Sequence, residues 1–170
     1  MAVAGKSHRN AAGLTRRAFL AVVMALPGFM PPLFSAPARA MDIARFMPLL
    51  IESSGRLITI RAEIADTPQL RRRGLMSRQR LPKGQGMLLL WDKPGFAALW
   101  MKNTLIPLDM VFMDGAGRII YIHENARPGD TRPISAGRPV RAVLEIAAGE
   151  ARRLGLKPGD MAALPASPGR

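Results

Sequence analysis

Period-two alternation between turns rich in glycine and proline is the pattern that most limits the folds open to this chain. In residues 57–64, Ile58, Ile60, Ala62 and Ile64 fall on one face, and Thr59, Arg61 and Glu63 on the other. Residues 140–147 repeat the pattern, with Val140, Ala142, Leu144 and Ile146 set against Arg141, Val143, Glu145 and Ala147. Such alternation belongs to a half-buried strand, because successive side chains of a strand point to opposite sides of a sheet. It also places Glu145 in mid-strand, where a carboxylate needs a reason to be.

Residues 87–91, 96–101, 109–114 and 118–123 are further strand candidates, and Asp92-Lys93-Pro94-Gly95 and Gly115-Ala116-Gly117 turn the chain between them. Asp66-Thr67-Pro68 can open, and Gly74 close, a short helix over residues 68–73. Its Arg71-Arg72-Arg73 run complements the negative end of a helix, and it is also a candidate anion-binding patch. A second short helix is expected over residues 148–154, before Gly155, and Lys157-Pro158-Gly159-Asp160 leads into a last strand over 161–164. Residues 124–139 hold three prolines and no apolar period, so a long excursion is expected there. The expected fold is mainly β (α+β): a compact small β-barrel or sandwich of six or seven short strands with two short helices.

Before this domain comes a leader. Residues 14–20, LTRRAFL, place Arg16-Arg17 ahead of an apolar segment, and Ala38-Arg39-Ala40 offers a small-x-small cleavage site. The pattern resembles a Tat signal peptide over residues 1–40. Pro27, Pro31 and Pro32 interrupt the apolar run well short of the roughly 20 residues that a membrane span requires. The expected consequences are engagement of the Tat machinery and signal peptidase, cleavage near Ala40, no stable membrane span afterwards, and a periplasmic or otherwise exported location. Residues 41–56 lack a clear period and are expected to form a flexible arm, 57–165 a single domain, and 166–170 a frayed tail.

Composition removes several chemistries. The chain has no cysteine, which excludes disulfides, thiolate metal sites and cysteine nucleophiles, and only two histidines, His8 and His123. Without the leader the net charge falls from +13 to +8, which suits an acidic partner or simply solubility. No nucleic-acid motif accompanies that charge, so no nucleic-acid partner is expected.

The stretch WMKNTLIPLDMVFMD, residues 100–114, carries the densest set of functional side chains. Together with residues distant in sequence it yields a candidate ligand site of Arg78, Trp100, Lys102, Asn103, Asp109 and Glu145. The cations would hold negative charge, Asn103 and Asp109 would orient a polar ligand, the indole would stack, and Glu145 would position Lys102. The same residues could instead form a buried polar network. Asp109 and Glu145 are the one carboxylate pair suited to acid–base hydrolysis. Met101, Met110, Met113 and His123 offer a soft-metal set, although Met110 and Met113 should point to opposite faces of a strand. No resident metal or other cofactor is expected.

Three segments, ADTPQLRRRGLMSRQRLPKGQGMLLLW, FAALWMKNTLIPLDMVFMDGAGRIIYI and VLEIAAGEARRLGLKPGD, together resemble the domain of unknown function 192 (DUF192) family over about residues 57–165. The matching motif positions include Gly74, Leu75, Met76, Arg78, Gly86, Met87, Trp100 through Thr104, Pro107, Leu108, Asp109, Leu144, Glu145 and Gly149. Leu88 to Leu90 stand where aromatic residues are usual, before Trp91. The resemblance implies a small β-rich protein, mostly exported or membrane-linked, and carries over no catalytic set. The expected function is binding of a small polar or anionic envelope ligand, with a glycan as one option. A carboxylate-dependent hydrolase or transferase and an envelope assembly or scaffold protein are the alternatives.

Overall fold

The computed structural model of the chain describes residues 44–166, so the expected leader and all but the first residue of the expected tail lie outside the described residues. Seven strands and two short helices follow one another. They are β1 (Phe46–Ser53), β2 (Arg56–Ala65), α1 (Pro68–Arg73), β3 (Gln85–Gly95), β4 (Leu108–Met113), β5 (Ile119–Ala126), β6 (Val140–Ala147), α2 (Glu150–Leu154) and β7 (Met161–Ala162). They form one mixed sheet in the order β5-β4-β6-β3-β2-β1-β7. Only β2 and β3 pair in parallel, across the connection that carries α1; the other neighbours are antiparallel. The mainly β expectation holds, as a mixed half-barrel.

The sheet buries apolar side chains on both faces. On the first face Ile58, Ile60, Ala62 and Ile64 of β2 pack with Leu88 and Leu90 of β3, Val111 and Met113 of β4, and Ala142, Leu144 and Ile146 of β6. This is the face that the alternation predicts for β2 and for β6 except Val140, which packs on the second face where the β3–β6 register shifts. On the second face Met87 and Leu89, Met110 and Phe112, and Val143 pack under Leu75, Leu99 and Met101 from the irregular segments. Central strands buried on both sides read as continuous apolar runs, as MLLL and MVFM do here.

Two expectations need correction. Residues 46–53 belong to the sheet rather than to a flexible arm: β1 pairs with β2 from Phe46↔Glu63 to Ser53↔Arg56, and Leu49 and Ile51 are buried in the core. The alternation is hidden because the outward positions, Phe46, Pro48 and Leu50, are apolar too. Residues 96–101 form no strand. They run as an irregular segment in which Leu99 and Ile134 exchange backbone hydrogen bonds of 2.9 and 2.8 Å and the Met101 N–H donates to the Asp130 carbonyl at 2.7 Å.

α1 forms as its caps suggest. Thr67 Oγ1 accepts from the Leu70 N–H at 3.2 Å, and the Gly74 N–H closes the last turn on the Leu70 carbonyl at 2.8 Å. Gly74 adopts φ 47° and ψ −137°, a conformation that a side chain would strain.

β7 clasps the two ends of the sheet. It pairs with β1 at Ile51↔Ala162 and Glu52↔Met161, while Met161 bridges Arg118 just before β5. The Ile119 N–H donates to the Asp160 carbonyl, and the Ala162 N–H to the Gly117 carbonyl, both at 2.8 Å. Gly117 sits at φ +85°, and a Cβ there would lie 2.1 Å from the Ala162 carbonyl oxygen.

Candidate functional site

Strand register sorts the carboxylates. Across β4 and β6, Asp109 lies opposite Ile146 and Met110 opposite Glu145, so neighbours in the ladder share a face and Asp109 and Glu145 point to opposite sides of the sheet. Asp109 is fully buried and accepts from the Asn125 N–H at 2.9 Å and the Ala151 N–H at 3.0 Å. It ties β4 to β5 and to the start of α2. The two carboxylates therefore do not form the acid–base pair suggested by the sequence.

On the second face, β2, β3, β6 and β4 place Glu63, Met87, Glu145 and Met110 side by side. Glu63 is buried and ion-pairs with Arg78, which removes Arg78 from the expected ligand set. Glu145 is different: it is 5% exposed, and its Oε2 has no hydrogen-bond partner. Burial without a compensating cation raises its pKa to about 7. The expected contact with Lys102 is absent; the Lys102 ammonium instead lies 5.5 Å from the centroid of the Trp100 ring, on an exposed part of the chain.

Glu145 forms part of the wall of a cavity of about 360 Å³. α1 and the turn after it contribute Arg71, Arg72, Arg73 and Gly74; β3 contributes Leu89 and Trp91; the irregular segment contributes Leu99, Trp100 and Thr104. Arg72, Arg73 and Trp100 are exposed, so the cavity is reached from the surface, whereas Thr104 and Glu145 are buried. The Arg71 guanidinium donates to the carbonyls of Asp66 (2.6 Å) and Leu90 (2.7 Å) and lies 5.2 Å from the Trp91 ring centroid. These contacts fix α1 against β3, and with them the cavity wall. Asn103, at φ 58°, makes the turn within WMKNT, and its carbonyl accepts from the Ser77 N–H at 2.9 Å, joining that motif to the GLMSR segment.

Of the six expected site residues, Trp100 and Glu145 line this cavity. Lys102 and Asn103 flank it through Trp100 and the turn, while Arg78 and Asp109 are engaged elsewhere in the fold. Trp91, Thr104 and the arginines of α1 line it as well. The arginine run is legible in the sequence as an anion patch, but nothing there places Trp91 or Thr104 in one cavity with Glu145. The soft-metal set is dispersed: Met101 and Met110 fill the core on one face and Met113 on the other, while the His123 ring contacts Tyr121. A larger cleft of about 570 Å³ lies along residues 123–134, where Glu124 is paired with Arg152 and Asp130 with Arg132.

The sequence model of the DUF192 family, described as an uncharacterized ACR, matches residues 49–164. No curated protein matches the chain. Among solved structures, a protein of unknown function from Novosphingobium aromaticivorans DSM 12444 is 38% identical, with a TM-score of 0.70, over 74% of this chain and 89% of that one. A protein from Sinorhizobium meliloti 1021, named as a candidate transcription regulator, is also 38% identical, with a TM-score of 0.68, over 70% of this chain and 93% of that one.

Proposed function

We propose that this chain, which belongs to the DUF192 family, is an exported binding protein that takes a small polar anion, such as an acidic sugar of the cell envelope, into the cavity beneath α1. The observation that carries this reading is Glu145, a buried carboxylate with an unpartnered oxygen in the wall of a cavity rimmed by arginines. A buried polar atom without a partner costs about 1–3 kcal/mol, a cost that a bound ligand can offset by supplying the missing hydrogen bond. Arg72 and Arg73 supply positive charge at the mouth, and the two indoles offer flat faces for a ring. The helices among the described residues span six and five residues, which is short for a recognition helix in a DNA groove.

Trp91 and Trp100 are the chain's only tryptophans and both line the cavity, so intrinsic fluorescence reports on it directly. Titration with glucuronate and with glucose 6-phosphate is expected to change the emission saturably for at least one of them. In the double variant Arg72→Ala/Arg73→Ala the same ligand should bind at least about tenfold more weakly, as loss of charge-assisted contacts implies. Unaltered emission with both compounds would count against the anion-binding reading.

The exported location rests on Arg16-Arg17 and the apolar stretch behind them. With Arg16→Lys/Arg17→Lys, the protein is expected to shift from the periplasmic to the cytoplasmic fraction of cells with a working Tat pathway. An unchanged distribution would reject Tat-dependent export.

A further inference from the structure

Beside Gly74, which lines the cavity, three hydrogen-bond acceptors come together. A Cβ on Gly74 would lie 3.5 Å from Glu145 Oε2, 4.0 Å from Glu145 Oε1 and 3.8 Å from the Arg71 carbonyl oxygen. The carboxylate and the carbonyl thus converge where α1 ends, at the negative end of its backbone dipoles. No donor of the described residues bonds Glu145 Oε2, and Arg78 is paired with Glu63.

The mouth has the opposite sign. Arg72 and Arg73 are exposed there, and neither takes part in the ion pairs formed among the described residues. A purely anionic ligand would be drawn to these arginines, yet it would bring negative charge towards a carboxylate and leave the acceptors without donors.

Resting on the binding reading above, we propose that the ligand is amphoteric, with a protonated amine seated on Glu145 and a phosphate or carboxylate held by Arg72 and Arg73. An ammonium brings three donors and a positive charge to the acceptors that meet beside Gly74, and it removes the electrostatic penalty of a buried carboxylate.

Two matched pairs of probes test this on the full-length protein at pH 7.5, by tryptophan fluorescence: 2-aminoethyl phosphate against ethyl phosphate, and 4-aminobutyrate against butyrate. The amino member of at least one pair is expected to bind at least tenfold more tightly than its partner. The pair that shows the preference identifies phosphate or carboxylate as the group held at the rim. In Glu145→Gln, with its fold verified by circular dichroism, the preference should shrink below threefold. If the compounds without an amine bind equally well, the amphoteric assignment is overturned while anion binding stands. If none of the four binds, the amphoteric assignment falls and the titrations with glucuronate and glucose 6-phosphate decide the anion-binding reading; if Glu145→Gln keeps the full preference, the amine is not seated on Glu145.

Discussion

Glu145→Gln is expected to stabilise the protein at pH 8 by about 3 kcal/mol relative to the parent chain, and to have little effect near pH 4.5. Glu145 titrates near 4.5 when exposed and at about 7 in the fold, and desolvation is the cause. The folded chain therefore holds more protons than the unfolded chain between these two values. The contribution of this residue to stability is fully present below 4.5, declines as the pH rises through 7, and is lost above it. Glutamine keeps the shape and removes the ionisation, so the difference between the two denaturation curves should grow between pH 4.5 and 7 and then level off. A difference independent of pH would show that Glu145 is solvated or paired in solution. A residue that costs stability at neutral pH while facing a cavity matches the common trade of stability for binding.

Gly117→Ala should produce the largest loss of stability among single-methyl additions in the hairpin region. The new Cβ would stand 2.1 Å from the Ala162 carbonyl oxygen, which is part of the backbone and cannot rotate away, and the residue would also be held at φ +85°. The expected cost is about 3 kcal/mol or more, or a fall in Tm on the order of 10 °C for a domain of this size. Gly95→Ala is the control, since its Cβ would meet nothing within 4 Å, and it should stay within about 0.5 kcal/mol. Equal melting temperatures for the two variants would mean that β7 is not closed on the β4–β5 turn as the structure places it.

Much of the fold can be read from residues whose local pattern and tertiary role agree. β2 alternates because Thr59 and Arg61 stand exposed between its buried residues, β6 is legible although Val143 and Glu145 are buried on its other face, and α1 carries its own caps in Thr67 and Gly74. β1 could not be read in this way, since Phe46, Pro48 and Leu50 are apolar on the outward side as well. Residues 96–101 misled for the opposite reason. Their apolar side chains serve as a cover over the second face, with Leu99 and Met101 buried from an irregular backbone.

The candidate site was legible only in part, because its composition depends on register. The sequence shows Asp109 and Glu145 as two acids in strands, but a one-residue offset in the β4–β6 ladder decides that they face opposite ways. Likewise, Arg78 has a choice of acids, and the β2–β3–β6 ladder gives Glu63 to it and leaves Glu145 alone. Pairings of this kind join residues far apart in the chain, and no local spacing encodes them.

The two-residue β7 also shapes the order of events during synthesis. Among the described residues it is the last strand to leave the ribosome, and until it docks, Ile51 and Glu52 at the edge of β1 and residues 117–119 at the start of β5 lack their backbone partners. Free edges are templates for pairing with other chains. The nascent protein is thus most exposed to aggregation in the interval after β6 has joined the sheet and before Met161 and Ala162 arrive, and the speed of that final docking limits how long the hazard lasts.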